Sequence, residues 1–273
     1  MMVIFKTDAD KCVGCGACVR DCAFRALRLD ASGHPVLAAP DKCMRCQHCL
    51  AVCPTGAVRL DGKGAEDCVN ADHAELPTPA AVSNWLRLRR SVRQFKDVDV
   101  DPGELDSILH VLGNTPTGCN ARSLTFSCFQ NRRSMRKMRE SLLEFIARPS
   151  QKPLPRWIAV QARRMNADGG DLFFRGASGL LVVSSDPDNP AVTTPSEDVA
   201  LACGNFELLA NASGIATCWC GFLGLVEREL PGLVECLVGI PTGHPFAAML
   251  FGVSDIRYPR GVARDGAARI VYH

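Results

Sequence analysis

Eight cysteines near the start of the chain follow one spacing that occurs twice. Each run reads Cys-x2-Cys-x2-Cys-x3-Cys, the first with Cys12, Cys15, Cys18 and Cys22 and the second with Cys43, Cys46, Cys49 and Cys53. Every cysteine of the first run maps onto the second with the same offset, and the segments 26–29 and 57–60 map with them. Eight thiolates in this arrangement form the ligand set of two four-iron, four-sulfur (4Fe-4S) clusters.

The spacing also predicts which thiolates share a cluster. Three thiolates on one tight loop hold three corners of a cube, whereas the fourth cysteine, at the start of a short helix, points away to the other cluster. We therefore assign one cluster to Cys12, Cys15, Cys18 and Cys53, and the other to Cys43, Cys46, Cys49 and Cys22. Small residues in the first loop allow it to close tightly, with backbone N–H groups facing sulfur: Gly14, Gly16 and Ala17.

Two other uses of cysteine fit this pattern less well. Zinc also binds Cys-x2-Cys pairs, but it needs four ligands per site and gives no reason for a duplicated run of four. A disulfide framework is typical of secreted chains, and residues 1–7 have neither a charged n-region nor a long apolar h-region. With 15 cysteines in the chain, we expect a reducing cytoplasm, and exposed clusters suggest an anaerobic one.

A second group of residues able to do chemistry is basic. Arg89, Arg90, Ser91 and Arg93 lie within five residues, where a predicted helix passes into extended chain. Several guanidinium groups and a hydroxyl in such a stretch can surround one phosphate. The same cluster, taken alone, also fits a solvated basic face. No Ser/His/Asp set or carboxylate pair accompanies it, so we predict no catalytic acid, base or nucleophile.

The elements that position these residues follow from apolar periodicity and from helix-end signals. We predict helices over 80–90, 102–112, 132–146 and 196–212, and strands over 124–130, 180–184, 247–253 and 269–273. The helix over 196–212 is apolar nearly all round, which predicts a subunit interface as well as a core.

Length and composition indicate two domains. At 273 residues the chain is too long for one small cluster-binding module. We place a cluster domain at residues 1–62, a linker at 63–78 and a second domain at 79–273. The linker is rich in Asp, Gly, Ala, Glu and Pro and shows no apolar periodicity. A net charge of +2 argues against nucleic-acid and membrane-surface partners. No apolar run is long enough for a membrane span.

Both parts resemble known families. Residues 1–60 resemble the bacterial two-cluster ferredoxins, with Pro54 after the last cysteine as in that family, although Ala23 stands where the first run would have proline. Residues 80–273 resemble the FMN-dependent nitroreductase superfamily. The motifs that carry this second resemblance are the segments 89–95, 116–120 and 214–221, followed by the run of Arg, Tyr and Pro over 257–260. The order of the two parts is similar to that of ferredoxin–nitroreductase fusions.

The resemblance implies an α+β fold, in which a small two-cluster ferredoxin-type domain precedes a dimeric nitroreductase-like domain with helices flanking a central sheet. It implies that Arg89, Arg90, Ser91 and Arg93 hold the phosphate, ribityl chain and pyrimidine edge of FMN. It implies a loop, Pro116, Thr117, Gly118 and Asn120, that reaches FMN from the partner subunit. It implies that the flavin's N5 lies beside the segment Cys218, Trp219, Cys220 and Gly221. It also implies that Arg257 and Arg260 bind the phosphate end of FMN. Arg122, Ser123 and Leu124 replace the Gln-Pro-Trp that often follows the loop in that family.

These parts together predict an oxidoreductase. Reduced ferredoxin or a similar low-potential donor would pass electrons through the two clusters to FMN, and a small electron-poor acceptor such as a nitro compound, quinone or enone would receive them. Two alternatives stay open at this point. One is an electron-transfer module that serves a protein partner and has no organic substrate. The other is a reductive dehalogenase of the same superfamily.

Overall fold

The structure is a computed structural model that describes residues 2–149, 153–166, 170–264 and 268–273. It divides the chain into two compact units, Met1–Pro77 and Thr78–His273. No helix among the described residues is both long and apolar enough to cross a membrane.

The first unit is built from two antiparallel strand pairs and two single-turn helices. Strand β1 (Phe5–Thr7) pairs with β4 (Val58–Leu60), and β2 (Leu27–Leu29) pairs with β3 (Pro35–Leu37). Helices α1 (Ala17–Arg20) and α2 (His48–Ala51) each follow a cysteine loop. Each half of the cysteine repeat thus contributes one loop and one helix, as the duplicated sequence predicts.

The duplication extends to the backbone conformation. Left-handed φ angles occur at equivalent places in the two halves: Gly14 and Arg45 (66° and 53°), Gly16 and Gln47 (68° and 63°), and Arg25 and Gly56 (52° and 63°). Glycine adopts this conformation without a steric cost, whereas a side chain makes it unfavourable. Since the same turns recur with different residues, they belong to the backbone path that the two halves share.

The second unit contains seven helices and four strands among the described residues. The helices are α3 (Pro79–Leu88), α4 (Pro102–Val111), α5 (Arg132–Ile146), α6 (Arg156–Asn166), α7 (Pro195–Ala212), α8 (Gly221–Glu229) and α9 (Leu233–Val238). The strands are β5 (Leu124–Phe129), β6 (Gly179–Ser185), β7 (Ala216–Trp219) and β8 (Phe246–Gly252), and they form one antiparallel sheet in the order β5-β6-β8-β7.

A hydrophobic core lies on each face of this sheet, because successive side chains of a strand point to opposite faces. Every residue of β6 is buried; Leu180 and Val182 join a core with α5, α6, α8 and α9, while Leu181 and Val183 join a core with α4 and α7. The result is an α+β unit in which a sheet lies between two layers of helices.

Helix α7 is the longest element and departs from its prediction in two respects, its start and the exposure of one face. It begins one residue early, with Pro195 at its first position and Glu197 and Asp198 in its first turn. Gly214, at φ 76°, lies just beyond its end. The helix is not buried all round: in this chain Leu201 is 49% exposed and Leu208 41%. One face packs on the sheet and the opposite face is free.

Several other predictions differ from the structure. Residues 269–273 form no strand. Helices α6, α8 and α9 and strand β7 were not predicted, because their short apolar runs lack clear end signals. The helix predicted over 132–146 has the same bounds as α5.

Candidate functional site

The second cysteine run lines a cavity in the first unit. Cys43, Cys46 and Cys49 share its wall with Cys22 from the first run. Apolar side chains complete the lining, among them Phe5, Phe24, Leu27 and Leu60. These four thiols are the set that the spacing assigns to one cluster, and an apolar cavity walled by four thiols has the chemistry that a 4Fe-4S cluster requires.

Three of the four thiols predicted to hold the other cluster, Cys15, Cys18 and Cys53, also lie near one another. Burial raises the pKa of Cys18, and the charges of Cys53 and Cys15 raise it further. Cys53 therefore lies within electrostatic range of Cys18, although it belongs to the other run. Burial likewise raises the pKa of Cys49 to about 12, with smaller contributions from Cys46, Cys43 and, from the other predicted set, Cys18. Iron would have to displace these protons, since thiolate is the form that binds metal.

Backbone donors face the sulfurs of Cys22 and Cys53, the two thiols predicted to bind the cluster of the opposite run. The N–H of Ala26 donates to Sγ of Cys22 at 3.2 Å, and the N–H of Ala57 donates to Sγ of Cys53 at 3.3 Å. Hydrogen bonds to cluster sulfurs influence the reduction potential. The matching geometry indicates that both halves present sulfur in the same way.

In the second unit, the Arg/Ser segment starts where α3 ends. Arg89 caps α3, and its Nη1 lies 3.1 Å from Oε1 of Glu207 on α7, whose side chain is only 10% exposed. The N–H of Val92 donates to the carbonyl of Thr217 on β7 at 2.9 Å. This bond places the segment 89–93 directly beside the segment 216–221, so the structure brings together two of the predicted flavin contacts.

The Arg/Tyr/Pro run near the C-terminus lies against the same region. A Cβ on Gly261 would meet the carbonyl oxygen of Arg87 at 2.6 Å, so only glycine allows this close approach. Arg260 and Arg257 precede Gly261 by one and four residues, so the Arg/Tyr/Pro run leads directly to this contact at the end of α3. Both are exposed. The structure thus brings the backbone of this run to the end of α3, where the Arg/Ser segment begins.

The segment predicted to pass N5 is mostly buried. Cys218 and Cys220 are 4% and 5% exposed, while Trp219 between them is 42% exposed. Burial raises the pKa of Cys218, opposed by the nearby charges of Arg175 and Arg93, and burial raises the pKa of Cys220 to about 12. These thiols stay protonated at neutral pH and form an apolar wall rather than nucleophiles.

The loop over 115–122 is connected to the rest of the site through α7. The N–H of Gly118 donates to Oδ1 of Asp198 at 3.0 Å, and Nδ2 of Asn205 donates to Oγ1 of Thr115 at 3.1 Å. Asn120 has φ 54°, a left-handed conformation. Within the single chain, hydrogen bonds from α7 therefore hold the loop in place.

Sequence reasoning missed the polar residues of α7. Besides Asp198, Asn205 and Glu207, Asn211 donates through Nδ2 to Oγ1 of Thr217 at 2.9 Å. Each of these side chains holds one segment of the candidate flavin site. The signal was present in the sequence, because amide and carboxylate groups inside a largely apolar helix need partners when buried.

Comparisons with known proteins agree with this geometry. The model of the nitroreductase family matches residues 86–253, and that of the 4Fe-4S dicluster domain matches residues 11–57. A nitroreductase with bound FMN from Bacteroides fragilis NCTC 9343 is 23% identical, with 67% of this chain and 95% of that chain covered and a TM-score of 0.50. A nitroreductase-like family protein from Bacillus cereus is also 23% identical, with 70% and 95% covered and a TM-score of 0.50. No curated protein matches the chain. The predicted α+β, nitroreductase-like fold is confirmed.

Proposed function

The chain belongs to the nitroreductase family, and we propose that it passes electrons from a low-potential one-electron donor through its clusters and FMN to a small organic acceptor. The family and the dicluster domain identify it as an oxidoreductase that uses FMN and two 4Fe-4S clusters. Reduced ferredoxin or a similar carrier is the proposed donor. An electron-poor compound, such as a nitroaromatic, a quinone or an enone, is the proposed acceptor.

In the first unit, the proposed role of the protein is to hold and tune the clusters. Cys12, Cys15, Cys18 and Cys53 would bind one cluster, and Cys22, Cys43, Cys46 and Cys49 the other. The backbone N–H groups of Ala26 and Ala57 would lower the electron density on the crossing sulfurs. Arg20 stabilises the first loop, because its Nη1 donates to the carbonyl of Cys15 at 2.8 Å.

In the second unit, the proposed role is binding and orientation. Arg89, Arg90, Ser91 and Arg93 would hold FMN together with Arg257 and Arg260, and Cys218, Trp219, Cys220 and Gly221 would pass its reactive edge. When bound, FMN supplies the conversion between one-electron and two-electron chemistry. Glu207 fixes the guanidinium of Arg89 before the phosphate arrives, which reduces the ordering cost of binding.

We also propose that the functional unit is a homodimer. The free face of α7 carries Leu201 and Leu208, which are 49% and 41% exposed. Pro116, Thr117, Gly118 and Asn120 would contact the FMN of the partner subunit, and α7 holds their loop in place. Burying the free face of α7 in a dimer would therefore also complete each flavin site.

The observation that carries the proposed function is that one chain holds both redox parts. Eight cysteines in cluster spacing lie in the first unit, and the second unit places the Arg/Ser segment against the strand that precedes Gly221. Covalent connection gives the cluster part a high effective concentration at the flavin part.

The experiment compares the full chain with a fragment of residues 78–273, both saturated with FMN. With a reduced low-potential one-electron carrier as donor, the fragment should turn over an acceptor much more slowly, because electrons no longer arrive through tethered clusters. With chemically reduced flavin, the two proteins should reduce the same acceptor at similar rates.

Two results would contradict the proposal. Equal rates with the carrier would mean that electrons bypass the clusters. A flavin that is reduced through the clusters but reacts with no nitroaromatic, quinone or enone would favour the electron-transfer module instead. Iron and FMN contents near eight and one per chain should accompany the active protein.

A further inference from the structure

The loop over 115–122 has an unusual backbone. Three of its non-glycine residues, Cys119, Asn120 and Arg122, have left-handed φ angles of 51°, 54° and 50°. Side chains disfavour this conformation, so such a series persists only where the surrounding structure enforces it. The loop therefore needs hydrogen bonds and packing contacts with neighbouring elements that keep it in this conformation.

Asp198 accepts the most buried of the hydrogen bonds that hold the loop. Its side chain lies in the first turn of α7, and the residue is only 2% exposed. Oδ1 accepts from the N–H of Gly118 at 3.0 Å and from Oγ1 of Thr194 at 2.9 Å. Burial shields both bonds from water, and without this acceptor the N–H of Gly118 and the hydroxyl of Thr194 would each lose a partner.

A second hydrogen bond and a close packing contact act on the same loop. Nδ2 of Asn205, two helical turns further along α7, donates to Oγ1 of Thr115, a residue that is 7% exposed. In the middle of the loop, a Cβ on Gly118 would meet the hydroxyls of Thr193 and Thr194 at 2.3 Å. The backbone at Gly118 is thus pressed against the start of α7, where Asp198 receives its N–H.

We propose that Asp198 is a positioning residue for FMN, which, with Asn205, holds the loop over 115–122 in the conformation that binds the flavin. The inference rests on the proposed function, in which Thr117, Gly118 and Asn120 contact FMN. It gives α7 a role beyond packing, because its buried polar side chains prepare the loop before the flavin binds.

The affinity for FMN depends on the fraction of molecules in which the loop has its binding conformation. Without the carboxylate, the left-handed residues relax toward ordinary conformations, and only a fraction of molecules keep a competent loop. The apparent dissociation constant then rises in inverse proportion to that fraction. A competent fraction of about one tenth would weaken FMN binding about tenfold, equivalent to about 1.4 kcal/mol.

The test measures two quantities in full-length Asp198→Ala protein well below its unfolding temperature. Amide hydrogen exchange over residues 117–121, recorded without FMN, should become faster, and the dissociation constant for FMN should rise about tenfold or more. Asn205→Ala should change both quantities in the same direction. Glu197→Ala is the matched control: this neighbouring acid in the same turn is exposed, and its loss should leave both quantities unchanged.

Several outcomes would overturn the proposal. Unchanged exchange over residues 117–121 would show that Asp198 does not hold the loop. Faster exchange with unchanged FMN affinity would reduce Asp198 to a purely structural residue. If Asp198→Ala fails to fold, Asn205→Ala decides by the same two readouts. A wild-type protein that binds no FMN would instead refute the proposed function, while the exchange measurement would still report on the loop.

Discussion

At the scale of single residues, Cys53 tests how the two cysteine runs share their clusters. It lies close enough to Cys18 to raise the pKa of that thiol, although it belongs to the second run. Cys53→Ser should therefore alter the electron paramagnetic resonance signal of the cluster held by Cys12, Cys15 and Cys18. The signal of the other cluster should remain close to that of the wild type.

The matched control is Cys68→Ser, because Cys68 is an exposed cysteine of the same unit outside both runs. It should leave both signals unchanged. If Cys53→Ser instead removes the cluster held by Cys43, Cys46 and Cys49, the crosswise assignment is wrong.

Arg89 is the residue on which the proposed phosphate site depends most. Its guanidinium is held by Glu207 and still has donors to offer. Arg89→Ala removes charge-assisted hydrogen bonds worth roughly 1.5–3 kcal/mol, so the dissociation constant for FMN should rise about ten- to a hundredfold. Arg87→Ala serves as the control in a fluorescence titration, since Arg87 is an exposed arginine of α3. If the two variants bind FMN with equal affinity, Arg89 does not bind the phosphate and belongs to a solvated basic face.

At the scale of elements, the duplicated turns of the first unit make opposite predictions for two substitutions. Arg25 and Gly56 occupy equivalent left-handed positions. Arg25→Gly relieves an unfavourable conformation and should stabilise the unit by up to about 1 kcal/mol, after the extra entropy of glycine is subtracted. Gly56→Ala should destabilise it, because the added Cβ is strained and would lie 2.8 Å from Cβ of Ala65.

The measurement is the temperature at which the visible absorbance of the clusters disappears under anaerobic heating. It should rise for Arg25→Gly and fall for Gly56→Ala. If this temperature falls for both variants, the side chain of Arg25 stabilises the unit by more than its left-handed backbone destabilises it.

Helix α7 shows how one element combines three tasks. Its buried apolar side chains fill the core beneath the sheet, its buried polar side chains bind Arg89 and the loop over 115–122, and its free face carries exposed leucines. Such a division needs about three faces of a helix, which explains why the sequence of α7 shows no single apolar stripe.

At the scale of the whole molecule, the free face of α7 predicts the oligomeric state. Leu201→Glu places a charge in the proposed interface, where its desolvation would be costly. The variant should elute as a monomer at concentrations where the wild type is a dimer, and it should lose FMN because the partner's loop is absent. Light scattering and flavin absorbance measure the two effects.

Val160→Glu is the control, since Val160 is an exposed apolar residue on α6, across the sheet from α7. It should leave both mass and flavin content unchanged. A wild type that is monomeric and still binds FMN tightly would contradict the proposed dimer.

Much of the molecule is determined by its sequence, where the determining interactions are local. The cysteine spacing predicts two clusters because three ligands of each lie on one short loop, and the dicluster domain match confirms that prediction. Helix α5 has its predicted bounds because Asn131 caps it and its apolar residues recur at helical intervals. The order of motifs indicated the nitroreductase family before any fold was known, and the family match confirms it.

Only the tertiary structure decided which distant groups meet. Glu207 pairs with Arg89 across 118 residues of chain, and Asp198 binds the N–H of Gly118 across 80. No periodicity encodes such pairs, because they depend on how α7 is rotated and placed against the sheet. The same rotation decides that Leu201 is exposed while Cys203 is buried. An apolar sequence on every side of a helix leaves that choice to packing.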